Sequence, residues 1–184
     1  MMNLPMMNLP NALTVFRILA VPFIVALLYF PRPSTCLVAT LFFLVAILTD
    51  LADGFLARKY NQVTNFGKFL DPLADKILIA SVLIMLVELN WVPAWIAIIV
   101  IIREILVTGL RAIAADKGHV IAADKYGKMK TIMQSVALVP LIYHYPMFGI
   151  DMAALGFLLL LIAVVLTIYS GWNYLYGFYR VWGD

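Results

Sequence analysis

The chain has 184 residues, of which 65% are hydrophobic and only 12% charged, with a formal net charge of +3. A soluble domain carries about 25% charged residues and has too little interior to hide this much apolar surface, so the composition points to a bilayer rather than to water. The small positive surplus gives no ground for a nucleic-acid partner, and a lone cysteine, Cys36 in an apolar run, excludes an internal disulfide.

Crossing the hydrocarbon layer takes roughly 20 apolar residues in a helix. The length fits one membrane domain over residues 1–184, and six such stretches follow in chain order: Ala12–Phe30, Thr35–Ala57, Gly67–Leu89, Pro93–Ala115, Tyr126–Tyr145 and Met152–Tyr176. Helix breakers mark the joints: Pro31 and Pro33, Asn90 and Pro93, Pro146 and Gly149. The N-terminus lacks the basic segment and small-residue cleavage site of a signal peptide, so the first stretch is expected to be retained. The expected fold is an all-α integral membrane bundle of six transmembrane helices.

Basic residues fix the expected orientation. The second connection carries Arg58, Lys59 and Lys68, the fourth Lys117, Lys125, Lys128 and Lys130, and the C-terminal end Arg180; Arg32 is the one Lys or Arg in the odd connections. Cytoplasmic loops collect Lys and Arg, so both termini are expected in the cytoplasm, and an even number of spans agrees. Trp91, Trp95, Trp172 and Trp182 lie near span ends, where indoles favour the interface.

Two stretches break the apolar rule at one end: the second finishes TDLADGFLAR and the third begins GKFLDPLADK. On a helix, Asp50, Asp53, Gly54 and Ala57 share one face, and Gly67, Asp71 and Asp75 form a second stripe. Four carboxylates at a membrane surface cost several kcal/mol and repel one another unless a cation is shared. Hard divalent ions bind such oxygens, with substrate phosphates completing the shell, and two ions about 3.5–4 Å apart clamp both oxygens of an in-line displacement. The plainer alternative, that the aspartates only neutralise Arg58, Lys59, Lys68 and Lys76, does not account for matching faces with small residues between the acids.

The pattern D-x2-D-G-x2-A-R-x8-G-x3-D-x3-D, formed by Asp50, Asp53, Gly54, Ala57, Arg58, Gly67, Asp71 and Asp75, resembles the signature of the CDP-alcohol phosphatidyltransferase family. The segments NLPNALTVFRILAVP at 8–22, REILVTGLRAIAADKG at 103–118 and KYGKMKT at 125–131 are similar to the branch that makes phosphatidylglycerophosphate. The resemblance implies a two-metal centre of Mg²⁺ or Mn²⁺ held chiefly by Asp50, Asp53 and Asp71. Asp75 would contribute as a further ligand and serve as the general base. It implies CDP-diacylglycerol as the donor, lying against Asp50, Asp53, Gly54, Ala57, Arg58, Gly67 and Asp71, with CMP as the product. It also implies a homodimer among membrane lipids, in the inner (plasma) membrane, with its site on the cytoplasmic side.

The acceptor is sought among the basic residues. Arg offers a planar fork suited to phosphate, and Arg17, Arg103, Arg111, Lys125, Lys128 and Lys130 are the candidates for an anionic acceptor such as sn-glycerol 3-phosphate. Each has a structural reading as well: the lysines as interface anchors, Arg111 in an ion pair, Arg103 in a partnership with Glu104. Inositol phosphate, serine or phosphatidylglycerol would be alternative acceptors within the family. A divalent-cation transporter is the alternative of another class, but it would need polar groups through the whole membrane depth, and here the acids gather at one end.

Overall fold

The structure, a computed structural model, describes the backbone of residues 9–59, 65–116 and 125–182, and the side chains of residues 12–49, 70, 72–114 and 126–179. The described residues form six helices and no strand: α1 Leu9–Leu28, α2 Pro33–Lys59, α3 Asn65–Glu88, α4 Ala94–Asp116, α5 Lys125–Tyr143 and α6 Met152–Trp182. The helix boundaries fall within a few residues of those expected, with two instructive differences. α1 stops at Leu28, two residues short of Phe30, because Pro31 and Pro33 push the preceding chain out of the helical region. α6 continues six residues past Tyr176, carrying its late aromatic residues on a continuous helix.

The odd connections are knit together. Asn90 takes a left-handed φ of 57° after α3, a conformation Asn tolerates, while the amide of Trp91 donates to the Leu86 carbonyl at 2.9 Å. The turn presents the Trp91 indole to His144, at 3.6 Å between ring centres and 8° between planes. The Tyr145 hydroxyl donates to the Pro31 carbonyl at 2.8 Å, joining the first and fifth connections. Asp151 then starts α6, its Oδ1 accepting from the Ala154 amide at 3.1 Å.

Packing runs through two central helices. α1 lies against α2 and α3, α5 touches α2, α3 and α6, and α4 sits on α3 and α6. Ile24 and Leu28, Phe43, Leu78 and Leu83, Ile96, Leu138 and Leu160 are fully buried between them. Outside this core the bundle is apolar where a soluble protein would be polar: Ile98, Ile102 and Ile105 on α4, and Leu158, Val165 and Trp172 on α6, are exposed. α6 is long and apolar enough over Met152–Tyr179 to cross a membrane, and only 28% of its most apolar window is buried, whereas the core helix of a soluble protein would be mostly buried. α1 and α2 carry shorter apolar stretches, Ala12–Leu28 and Pro33–Thr49. From Met152 to Trp172 is 20 residues, about 30 Å of helix and close to the hydrocarbon thickness. Exposed Trp172, Tyr176 and Tyr179 thus suit an interface belt.

Among the described glycines, Gly156 marks the tightest approach, between α5 and α6. A Cβ at Gly156 would stand 2.6 Å from Leu141 Cγ and 2.8 Å from the Leu141 amide nitrogen, and backbone cannot swing aside as a side-chain tip can. Gly156→Ala is expected to destabilise the protein by roughly 1–3 kcal/mol, whereas Gly109→Ala, with nothing within 4 Å, should leave stability unchanged. Thermal melting of the two variants in one detergent checks both.

Candidate active site

Toward the end where the even connections lie, α3, α4 and α5 line an open cavity of about 370 Å³. Its charged lining is Asp75 and Lys76 from α3, Arg103, Glu104 and Arg111 from α4, and Lys128 and Lys130 from α5. Arg103 and Arg111 reach the same wall because eight residues return a helix nearly to the same face. Lys128 and Lys130 join them from the opening turns of α5. Among the described residues the wall thus holds five cations and two carboxylates, in a bundle whose other described faces are largely apolar.

Two carboxylates, Glu104 and Asp75, make that concentration of charge tenable. Glu104 accepts from Arg103 Nη1 at 3.3 Å and forms an ion pair with Lys130 Nζ. Lys130 is almost fully buried and has Arg103, Asp75 and Lys76 as charged neighbours. Lys76 in turn has Asp75, Arg111 and Arg103 around it. The Arg111 guanidinium lies 5.3 Å from the centre of the buried Tyr174 ring, within cation–π range. A small anion with several oxygens would offset the remaining positive charge.

A second cavity, of about 480 Å³, shares Asp75, Lys76, Glu104, Lys130 and Thr131 with the first but is otherwise almost wholly apolar. Ile79, Val100 and Ile101 form its inner wall, and exposed Leu73 and Ile105 lie at its margin. Polar and apolar chambers therefore meet at Asp75, the arrangement needed for a molecule with a charged head and a greasy tail.

The expected site residues divide into three groups. Asp75, Arg103, Arg111, Lys128 and Lys130 are brought together around one cavity. Arg17 is placed elsewhere: fully buried on α1, it donates from Nε to the Ala46 carbonyl of α2 at 3.3 Å and does not line that cavity. The side chains of Asp50, Asp53, Gly54, Ala57, Arg58, Gly67, Asp71 and Lys125 lie outside the described residues, although the backbone is helical at each of them. Among the described residues no three potential metal ligands cluster, Asp75 being the one described member of the four aspartates. The ends of α2 and α3 are joined by residues 60–64 alone, so they lie within about 20 Å of one another.

Some contributors were not anticipated from the sequence. Lys76 reads there as a counter-ion at the membrane surface, yet it lines the cavity. The buried polar residues Gln134, Thr167 and Ser170 stand behind Arg103, and their one signal in the sequence is polarity within strongly apolar helices. Removing the shared carboxylate would strand Lys130. Glu104→Ala is expected to cost about 3 kcal/mol, and adding Lys130→Met should recover most of it; chemical or thermal denaturation of the single and double variants measures both changes.

The chain matches the CDP-alcohol phosphatidyltransferase family over residues 7–169. It is 42% identical over 181 residues to a Bacillus subtilis protein named CDP-diacylglycerol–glycerol-3-phosphate 3-phosphatidyltransferase, covering 92% of this chain and 94% of the relative. Proteins of the same name from Haemophilus influenzae and Escherichia coli are 43% and 41% identical, covering 91% of this chain in each case and 91% and 93% of the relatives. With the family matched over most of its length, and relatives this similar aligned nearly end to end, the chain belongs to the CDP-alcohol phosphatidyltransferase family and is an enzyme of that class.

Proposed function

We propose that the protein transfers the phosphatidyl group of CDP-diacylglycerol to sn-glycerol 3-phosphate, giving phosphatidylglycerophosphate and CMP. The observation that carries this reading is the cavity itself: Lys76, Arg103, Arg111, Lys128 and Lys130 surround Asp75 and Glu104, leaving an excess of cations for an anionic acceptor. Serine has no phosphate to match these cations, and glycerol phosphate does. The names of the relatives point to the same pair of substrates.

In this reading the acceptor phosphate lies among Arg103, Arg111, Lys128 and Lys130, and Lys125 adds a further positive charge on α5, whereas Arg17, turned to the Ala46 carbonyl, takes no part. Its hydroxyl faces Asp75, which takes the proton as oxygen attacks the lipid-side phosphorus of the donor. The new P–O bond forms, the bond to the bridging oxygen of the diphosphate breaks, and CMP leaves with the electron pair. The donor diphosphate lies along Asp50, Asp53, Gly54, Ala57, Arg58, Gly67 and Asp71, and its acyl chains extend into the apolar chamber beside Ile105.

The donor set suits a hard divalent ion: oxygen ligands from Asp50, Asp53, Asp71 and Asp75, with Asp75 half-buried on a cavity wall next to cations. Mg²⁺ or Mn²⁺ held there supplies charge stabilisation for the departing CMP phosphate. By the distribution of Lys and Arg, all six helices cross the membrane with both termini and the site on the cytoplasmic side of the inner (plasma) membrane. The whole of residues 1–184 acts as one domain, and two copies associate as a homodimer.

CMP release by the purified protein in detergent should require both CDP-diacylglycerol and sn-glycerol 3-phosphate, stop with a chelator, and return with Mg²⁺ or Mn²⁺. Asp71→Asn should lower it by roughly a hundredfold or more; release unchanged by that substitution, or supported equally by serine, would overturn the reading. Separately, Arg111→Gln should raise the KM for glycerol 3-phosphate by about tenfold to a hundredfold, the worth of one charged hydrogen bond, and leave the KM for CDP-diacylglycerol close to the parent value.

A further inference from the structure

Arg103 belongs to α4, and its guanidinium is held by Glu104 of the same helix and by Ser170 of α6. Nη2 donates to Ser170 Oγ at 3.0 Å. The Ser170 hydroxyl itself donates to the Thr167 carbonyl at 3.2 Å, so its proton is committed and its lone pairs are left for Arg103. Thr167 Oγ1 donates to the Ala163 carbonyl at 2.6 Å and accepts from Gln134 Nε2 at 2.9 Å. Gln134, Thr167 and Ser170 are all at most 2% exposed. A directional pair of hydrogen bonds, shielded from water, therefore runs from the guanidinium through Ser170 to the Thr167 carbonyl, and the Thr167 side chain is held in turn by Gln134 and Ala163.

Two glycines complete the cradle. A Cβ at Gly171 would stand 3.2 Å from Arg103 Cγ and 3.8 Å from Nε, and one at Gly127 would stand 3.8 Å from Nη2. The stem of Arg103 thus runs over bare α6 backbone, and its head meets bare α5 backbone. Its two terminal nitrogens are tethered to different helices, Nη1 to Glu104 and Nη2 to Ser170, which fixes the plane of the group. Glu104 alone, the next residue along α4, would draw the guanidinium into a closed pair; Ser170 opposes that pull from the far side. Nε is buried and makes no hydrogen bond among the described residues, which leaves a desolvated N–H on a fixed fork.

We propose that Ser170, together with the missing side chain at Gly171, is a positioning element that sets the Arg103 guanidinium for bidentate recognition of the acceptor phosphate. The proposal rests on the reading above that Arg103 binds that phosphate. A fork is selective for phosphate only when its plane is held, and a loose arginine would fall back to the value of a point charge. Ser170 touches no reacting atom; it acts through Arg103.

The test is steady-state CMP release, varying glycerol 3-phosphate at saturating CDP-diacylglycerol and then the reverse. Ser170→Ala and Gly171→Ala should each raise the KM for glycerol 3-phosphate roughly tenfold, with kcat and the KM for CDP-diacylglycerol within about twofold of the parent. Ser170→Thr, which keeps the hydroxyl, should restore the parent KM. A lowered melting temperature with an unchanged KM would mean that the hydroxyl only ties helices together, and would overturn the proposal. Should Ser170→Ala not fold, Gly171→Ala decides by the same criterion. Arg103→Gln separates the two levels: a raised KM there with none in the Ser170 and Gly171 variants removes the positioning role alone. An unchanged KM in Arg103→Gln removes the phosphate-binding reading and the proposal with it.

Discussion

Cations are expensive inside an apolar bundle, and this structure holds several of them on one wall by sharing a carboxylate. Glu104 lies between Arg103 and Lys130, so two basic groups are stabilised by one acid and the wall keeps a positive excess. Complete pairing would be cheaper in isolation but would leave nothing for a substrate phosphate. The site's capacity for an anion and its cost in the resting state are thus the same physical quantity. Most other features of the bundle's even-connection end make sense as ways of supporting that arrangement.

Part of the support comes from α6, which contributes no residue to the lining of this cavity, and part from buried residues of α5. α6 supplies a buried hydroxyl to Arg103 and the Tyr174 ring beneath Arg111, and α5 supplies Gln134 to the same polar group. The tight α5–α6 crossing at Gly156 holds those two helices in register. At the opposite end, the Trp91–His144 stack and the Tyr145–Pro31 hydrogen bond draw the odd connections together. A bundle pinned at one end and along α5–α6 holds its charged end in a defined shape.

The outer surface carries the complementary message. Large apolar side chains on α4 and α6 face outward, while the fully buried set includes Arg17, Lys130 and Gln134. In water this would be an inverted protein. In lipid it is the economical distribution, because polar side chains find partners only inside the bundle or at the interface. A polar and an apolar chamber meet at Asp75 on the same pattern, the lining passing from charged to apolar residues within a few helical turns of α3 and α4.

What the sequence determined alone was the set of helices and the chemistry they carry. Apolar run lengths and Pro or Asn breakers located all six helices, because both signals are local and a membrane leaves few alternatives to a helix. The aspartate motif is an expectation of the same local kind, since three- and four-residue spacings place groups on one helical face whatever the helix packs against, but of its four acids only the Asp75 side chain lies among the described residues. Arg103 and Arg111 could be assigned to one face for the same reason, but not to a cavity shared with Lys130 and Lys76. That depended on which helices are neighbours. Nor could spacing tell that Arg17 turns to the Ala46 carbonyl, 29 residues away, while Arg103 reaches Ser170, 67 residues away. Partners so distant in the chain are chosen by tertiary packing, and near-uniform apolar faces carry no periodic mark of which helix will lie beside which.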